Sequence, residues 1–159
     1  MNEANPAPAR PNTRLIEAAN RAEATALLIR TGYRVYRPEA DVEGEDLVVL
    51  EPESHELRGV QLKGRAQVDW RRYGGRRLWL LFPSTTFRPL IQRRWYLIPH
   101  DELFAWVKNR HGGAPKWNGS WSYPKLGEDL RKFLAIWEIR PPGEPAPAEP
   151  ERVFPFSVS

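Results

Sequence analysis

The chain has 159 residues, is 41% hydrophobic and 28% charged, and carries no cysteine. That composition excludes collagen-like, disulfide-scaffold and fully disordered classes, and with them thiolate chemistry and Cys-rich zinc sites. The net charge of +4 hides an asymmetry: residues 1–56 are net −5, whereas 57–97 hold ten Lys+Arg against one Asp, net +9. Such a basic segment points to a polyanionic partner, and a metal ion is one reason for the acidic part to face the same partner.

Residues 1–12 and 141–159 hold nine of the sixteen prolines. They read as disordered tails around a single domain over 13–140. Val153, Phe154 and Phe156 form an apolar tip in the second tail, expected to dock on the domain, with another protein as the alternative. The start of the chain lacks the basic and apolar regions of a signal peptide, and the longest apolar runs are about five residues, as at Leu78–Phe82. A cytoplasmic protein with no membrane span is therefore expected.

Within the domain, residues 14–31 predict a helix capped by Asn12 or Thr13 and ended at Gly32. Leu15, Ala19, Ala22, Ala26 and Ile29 recur at helical spacing, with Ile16 and Leu27 beside them, and predict its buried stripe. Tyr33–Arg37 reads as a short strand, followed by an acidic loop. Asp46–Leu50 and Arg58–Lys63 predict an antiparallel hairpin around the turn at 51–56. The basic stretch 65–77 follows, and then strands at 78–82 and 95–98. A helix over Asp101–Asn109, an aromatic loop over 112–124, a helix over Leu126–Leu134 and a strand over Ala135–Ile139 complete the chain. The class is α/β, with a central mixed sheet of four or five strands flanked by helices.

Four polar residues stand out against these elements. Glu23 lies on or beside the apolar stripe of its helix, where a carboxylate reaches solvent, pairs with an arginine or serves a site. Asp46 opens an otherwise apolar strand, as a turn cap or as a ligand; Glu45 alternates to the other face. Gln61 and Lys63 share one face of the next strand, exposed or functional. The combination is more telling than its parts. Asp46 and Gln61, on neighbouring strands about 4.8 Å apart, are close enough to share the oxygen-rich sphere of a hard cation, with Glu23 as a second carboxylate. Lys63 adds a cation beside a scissile phosphate.

In this order and spacing the chain resembles the PD-(D/E)XK, or restriction-endonuclease-like, nuclease superfamily, in its QxK variant near the Holliday-junction-resolvase-like branch. The matching stretches are Asn20-Arg21-Ala22-Glu23, Gly32-Tyr33-Arg34-Val35, Gly44-Glu45-Asp46-Leu47-Val48-Val49 and Val60-Gln61-Leu62-Lys63, within residues 13–82. The resemblance implies a helix packed on a mixed sheet and cleavage of DNA with Mg²⁺ or Mn²⁺. It implies that Asp46, Gln61 and Glu23 bind metal and that Lys63 is the motif lysine. Glu45 stands where the motif has proline, and Gln61 replaces an acid. Many such enzymes pair to cut two strands, so a homodimer is compatible, although no dimer face is evident in the sequence.

The basic stretch suits the same chemistry. Arg65, Arg71, Arg72, Arg76 and Arg77 are interleaved with Trp70 and Tyr73, phosphate contacts beside rings that stack on bases. Arg88, Arg93 and Arg94 form a second basic cluster. Trp117, Trp121 and Tyr123 are expected in the core rather than on a stacking surface. The expected function is a metal-dependent DNA endonuclease. The rivals are a catalytically silent DNA-binding module and an interaction domain of a defence or repair complex.

Overall fold

Asn12 starts the first element by accepting the Arg14 N–H on its side chain (3.0 Å), and helix α1 runs over Thr13–Arg30 in the computed structural model, which describes residues 12–39 and 45–140. Gly32, at φ 94°, ends the helix in the left-handed region. That geometry brings the Tyr33 N–H onto Leu28 O (3.0 Å) and the Gly32 N–H onto Ile29 O (3.1 Å).

The buried face of α1 is Asn20, Ala24, Leu27 and Leu28, which shares only Leu27 with the expected apolar residues. Leu15 is 68% exposed and Ile29 58%. The alanines spread around this helix make its apolar face weakly defined. The row i, i+4, i+7, i+8 from Asn20 prevails because Asn20, although polar, finds a buried arginine as partner.

Strands β1 (Arg34–Tyr36), β2 (Leu47–Leu50) and β3 (Leu57–Leu62) follow. The basic stretch is not a plain loop: it contains β4 (Ala66–Asp69) and the one-turn helix α2 (Trp70–Tyr73). Then come β5 (Trp79–Pro83), β6 (Trp95–Pro99), α3 (His100–His111), β7 (Ser120–Tyr123) and α4 (Glu128–Leu134). The main sheet has the order β1-β2-β3-β5-β6. Only β3 and β5 run parallel; the other pairs are antiparallel. The expected mixed five-stranded sheet flanked by helices is therefore present.

A parallel pair needs a long crossover, and β4 with α2 forms it. β4 pairs with β7 as a separate two-stranded sheet. The aromatic loop expected at 112–124 thus contains a strand. Its Trp117, Trp121 and Tyr123 pack against the core, as expected. The strand expected over Ala135–Ile139 is instead a 3-10 turn at Ala135–Trp137 and a single bridge from Glu138 to Tyr96. An apolar run that short does not distinguish strand from helix by pattern.

The sheet separates two cores. On one face, α1 packs Ala24, Leu27 and Leu28 on Leu47, Val49, Val60, Leu81, Trp95 and Leu97. On the other, Leu80, Phe82, Tyr96 and Ile98 meet Leu103 and Val107 of α3, Leu130 and Leu134 of α4, and Ala66 and Val68 of β4. Strand alternation sends Leu80 and Leu81 to opposite cores. Each buried leucine contributes roughly 1.5–3 kcal/mol. The tails, apart from Asn12, the apolar tip with Val153, Phe154 and Phe156, and Gly44 of the acidic loop lie outside the described residues.

Candidate active site and nucleic-acid cleft

Hairpin register builds the site. Leu47 pairs with Val60, so Asp46 and Gln61 are the next opposed pair. The Asp46 N–H donates to Val60 O (2.8 Å). Asp46 Oδ2 accepts from Gln61 Nε2 (2.9 Å) and from the Leu62 N–H (3.0 Å). The carboxylate is thereby fixed against the strand that carries Gln61. Lys63 extends the parallel ladder by donating its N–H to Leu81 O (2.9 Å). Its Nζ donates to the Tyr73 hydroxyl (2.7 Å).

Two concavities meet here. A cavity of about 340 Å³ is lined by Asp46, Gln61, Leu62, Lys63 and Gly64 from the hairpin side and by Glu17, Asn20 and Arg21 of α1. A wider cleft of about 750 Å³ shares Gln61 and Lys63 and adds Asp69, Arg71, Arg72, Tyr73 and Arg76. Of the expected site residues, then, Asp46, Gln61 and Lys63 come together.

Glu23 does not line this cavity. Its carboxylate binds Arg93, whose Nη2 lies 2.6 Å from Oε2 and whose backbone N–H donates to Oε1 (2.9 Å). Burial by itself would raise the Glu23 carboxyl, but the hydrogen bonds from the Arg93 side chain and backbone outweigh it and hold the group below the usual carboxylate range. Of the sequence readings of Glu23, the structure shows the arginine partner. Glu17, six residues earlier on the same helix, is the α1 acid that opens onto the cavity. Glu17 is not among the site residues expected from the sequence; its i, i+3, i+4 spacing with Asn20 and Arg21 is the signal that puts the three on one helix face.

The basic residues divide in the same way. Arg71, Arg72 and Arg76 line the cleft. Arg77 is exposed, at φ 57°. Arg65 is exposed beside Ser84–Thr86, away from the cleft. Tyr73 is buried and has no face open for a base. Trp70 is half-exposed, with its ring 4.8 Å from Phe104; a side chain at Gly74 would collide with that ring. Arg93 is not a surface cation, since its side chain is 1% exposed. Arg94 is exposed, 3.6 Å from Glu138.

His100, completely buried, supports the cleft from beneath. Its Nε2 accepts the Asp69 N–H (3.1 Å), so Nδ1 carries the proton and donates to Asp101 Oδ1 (2.9 Å). Burial lowers its pKa, against the opposing pull of Asp101. The folded protein therefore keeps His100 neutral at a pH where the unfolded chain has already taken up the proton. Stability should fall as pH drops below about 6.5. Thermal melts between pH 7.5 and 5 should show this slope in the wild type and a flatter one in His100→Gln.

Gln61 Oε1 is buried and has no hydrogen-bond partner among the described residues, while Gln61 Nε2 is engaged by Asp46. A buried neutral oxygen beside a carboxylate fits Mg²⁺ or Mn²⁺, which take one or two carboxylates and complete their shell with water and phosphate. Among the described residues no group of three or more His, Cys, Asp or Glu converges, so any such site relies on few protein ligands. Arg21 Nε, in the same cavity, is also buried without a partner among the described residues.

No known family profile and no curated protein matches the sequence. Among solved structures, the chain is similar to a bacterial homing endonuclease, with a TM-score of 0.45 and 17% identity over 75% of this chain and 80% of that one. No helix among the described residues is long and apolar enough to cross a membrane.

Proposed function

We propose that residues 13–140 form a PD-(D/E)XK-type domain that hydrolyses DNA phosphodiester bonds with Mg²⁺ or Mn²⁺. The observation that carries this reading is the convergence of Asp46, Gln61 and Lys63 on one cavity that opens into an arginine-lined cleft. Asp46 and Gln61 Oε1 would hold the cation, which when bound supplies a Lewis acid and lowers the pKa of water. Lys63 places a positive charge where a phosphate bound in the cleft would develop negative charge. Arg71, Arg72 and Arg76 hold flanking phosphates and set the strand's path. The test is cleavage of single-stranded, duplex and branched DNA, with RNA beside them, in Mg²⁺, Mn²⁺ or EDTA.

The neutral Gln61 in the acidic slot favours one alternative, a DNA-binding module without catalysis. Binding without cleavage in either metal would select it. Both readings place DNA in the arginine cleft. Neutralising Arg71, Arg72 and Arg76 together should make log affinity against log salt shallower, by about 0.9 for each lost duplex phosphate contact. An unchanged slope puts the DNA surface elsewhere.

Gln61→Glu separates ligand from bystander. The new carboxylate would face Asp46 Oδ2, which now takes a hydrogen bond from Gln61 (2.9 Å). Without metal the two like charges repel, so the melting temperature should fall. Mn²⁺ should restore it and bind tighter than in the wild type, because carboxylates hold hard cations better than amides. Calorimetry showing equal Mn²⁺ affinity for both proteins removes Gln61 from the coordination sphere.

A further inference from the structure

The Lys63 ammonium is held from behind. Its Nζ bonds the Tyr73 hydroxyl at 2.7 Å and lies 4.8 Å from the centre of that ring. The edge of the Tyr73 ring meets His100, at 5.7 Å and 66°. His100 and the next residue, Asp101, hold the backbone on both sides of Tyr73. His100 Nε2 takes the Asp69 N–H, and the Asp101 carboxylate takes the Gly75 N–H at 3.1 Å. The segment between those two ties carries Arg71, Arg72 and Tyr73. One clamped turn thus presents guanidinium groups to the cleft and a hydroxyl to the lysine.

We propose that Tyr73 is the positioning residue for Lys63, and that α2 sets phosphate binding and lysine orientation as one rigid piece. This rests on the endonuclease reading for its kinetic consequence. Lysine has a flexible four-carbon stem, and an unanchored ammonium samples many rotamers. One bond to a buried hydroxyl fixes it and leaves two N–H donors for a phosphate. A tyrosine kept only for packing would not need its hydroxyl on Lys63. The ring, pinned by His100, also stops the hydroxyl from following the lysine outward.

Tyr73→Phe removes the hydroxyl and keeps the ring. It should lower kcat roughly tenfold, the worth of one oriented hydrogen bond, with KM, DNA affinity and melting temperature nearly unchanged. A second readout needs no activity. In ¹⁵N spectra of the DNA-free protein, the Lys63 ammonium, assigned with Lys63→Met, should be protected from water exchange in the wild type and lose that protection in Tyr73→Phe. An unchanged ammonium signal overturns the proposal, as does a rise in KM with kcat intact. If the wild type cuts nothing, the endonuclease reading falls and the ammonium spectra alone decide the role of Tyr73.

Discussion

Asp46→Asn is expected to abolish metal-dependent cleavage and leave the fold intact. Asparagine keeps an oxygen for the Leu62 N–H, which Asp46 Oδ2 now accepts at 3.0 Å, so the hairpin should lose no more than about 1 kcal/mol. What disappears is the one carboxylate that the hairpin brings into the cavity. Cleavage should drop by at least about 100-fold, and Mn²⁺ affinity should fall in parallel. Asp46→Ala is the control: it strands the Leu62 N–H and Gln61 Nε2, at a cost of about 1–3 kcal/mol. Melting curves, Mn²⁺ calorimetry and a cleavage assay on the three proteins form the test. A strongly destabilised Asp46→Asn with unchanged metal affinity would make Asp46 a structural cap.

Arg93→Met should produce the largest loss of stability. Arg93 joins three partners: Glu23 of α1, the Asn20 side chain one turn before it, and Thr85 O (3.0 Å). Methionine fills much of the volume but leaves a largely buried carboxylate and a buried amide without their cation. Breaking a buried pair from one side costs about 3–5 kcal/mol, a fall of roughly 10–15 °C in melting temperature for a domain of this size. The acid limb should change as well. The unfolded chain protonates Glu23 near pH 4.5, and the folded protein does so only at lower pH. The stabilisation is therefore complete above that value and disappears as pH falls through the folded pKa. Arg93→Met should lose this added acid sensitivity and keep the wild-type salt slope for DNA. An unchanged melting temperature with a shallower slope would return Arg93 to the DNA surface.

The β2–β3 hairpin and its polar residues were legible because everything that fixes them is local. Alternation assigns Gln61 and Lys63 to one face, and the short turn brings Asp46 opposite Gln61. The partner of Glu23 was not legible. Arg93 lies 70 positions away, and nothing in a run of arginines separates a buried cation from surface ones. The phase of α1 failed for a related reason. Its interior includes Asn20, which reads as surface until Arg93 is known to be inside. Tyr73 looked like a stacking ring because it stands among arginines. That His100 lies beneath it depends on how α3 docks under α2, a tertiary fact with no local signature.

The contrast between near and distant partners also bears on how the chain folds. The Asp46–Gln61 bond spans 15 positions and the Lys63–Tyr73 bond 10, whereas the Arg93–Glu23 pair spans 70. Local contacts close at small entropic cost, and long loops close late. The hairpin should gather the oxygen ligands early, before β5 adds its parallel pairing. The Arg93 lock, which fastens α1 to the loop entering β6, belongs to the final docking. Substitutions at Arg93 should then speed unfolding and barely slow refolding, whereas those in the β2–β3 turn should act on the refolding rate.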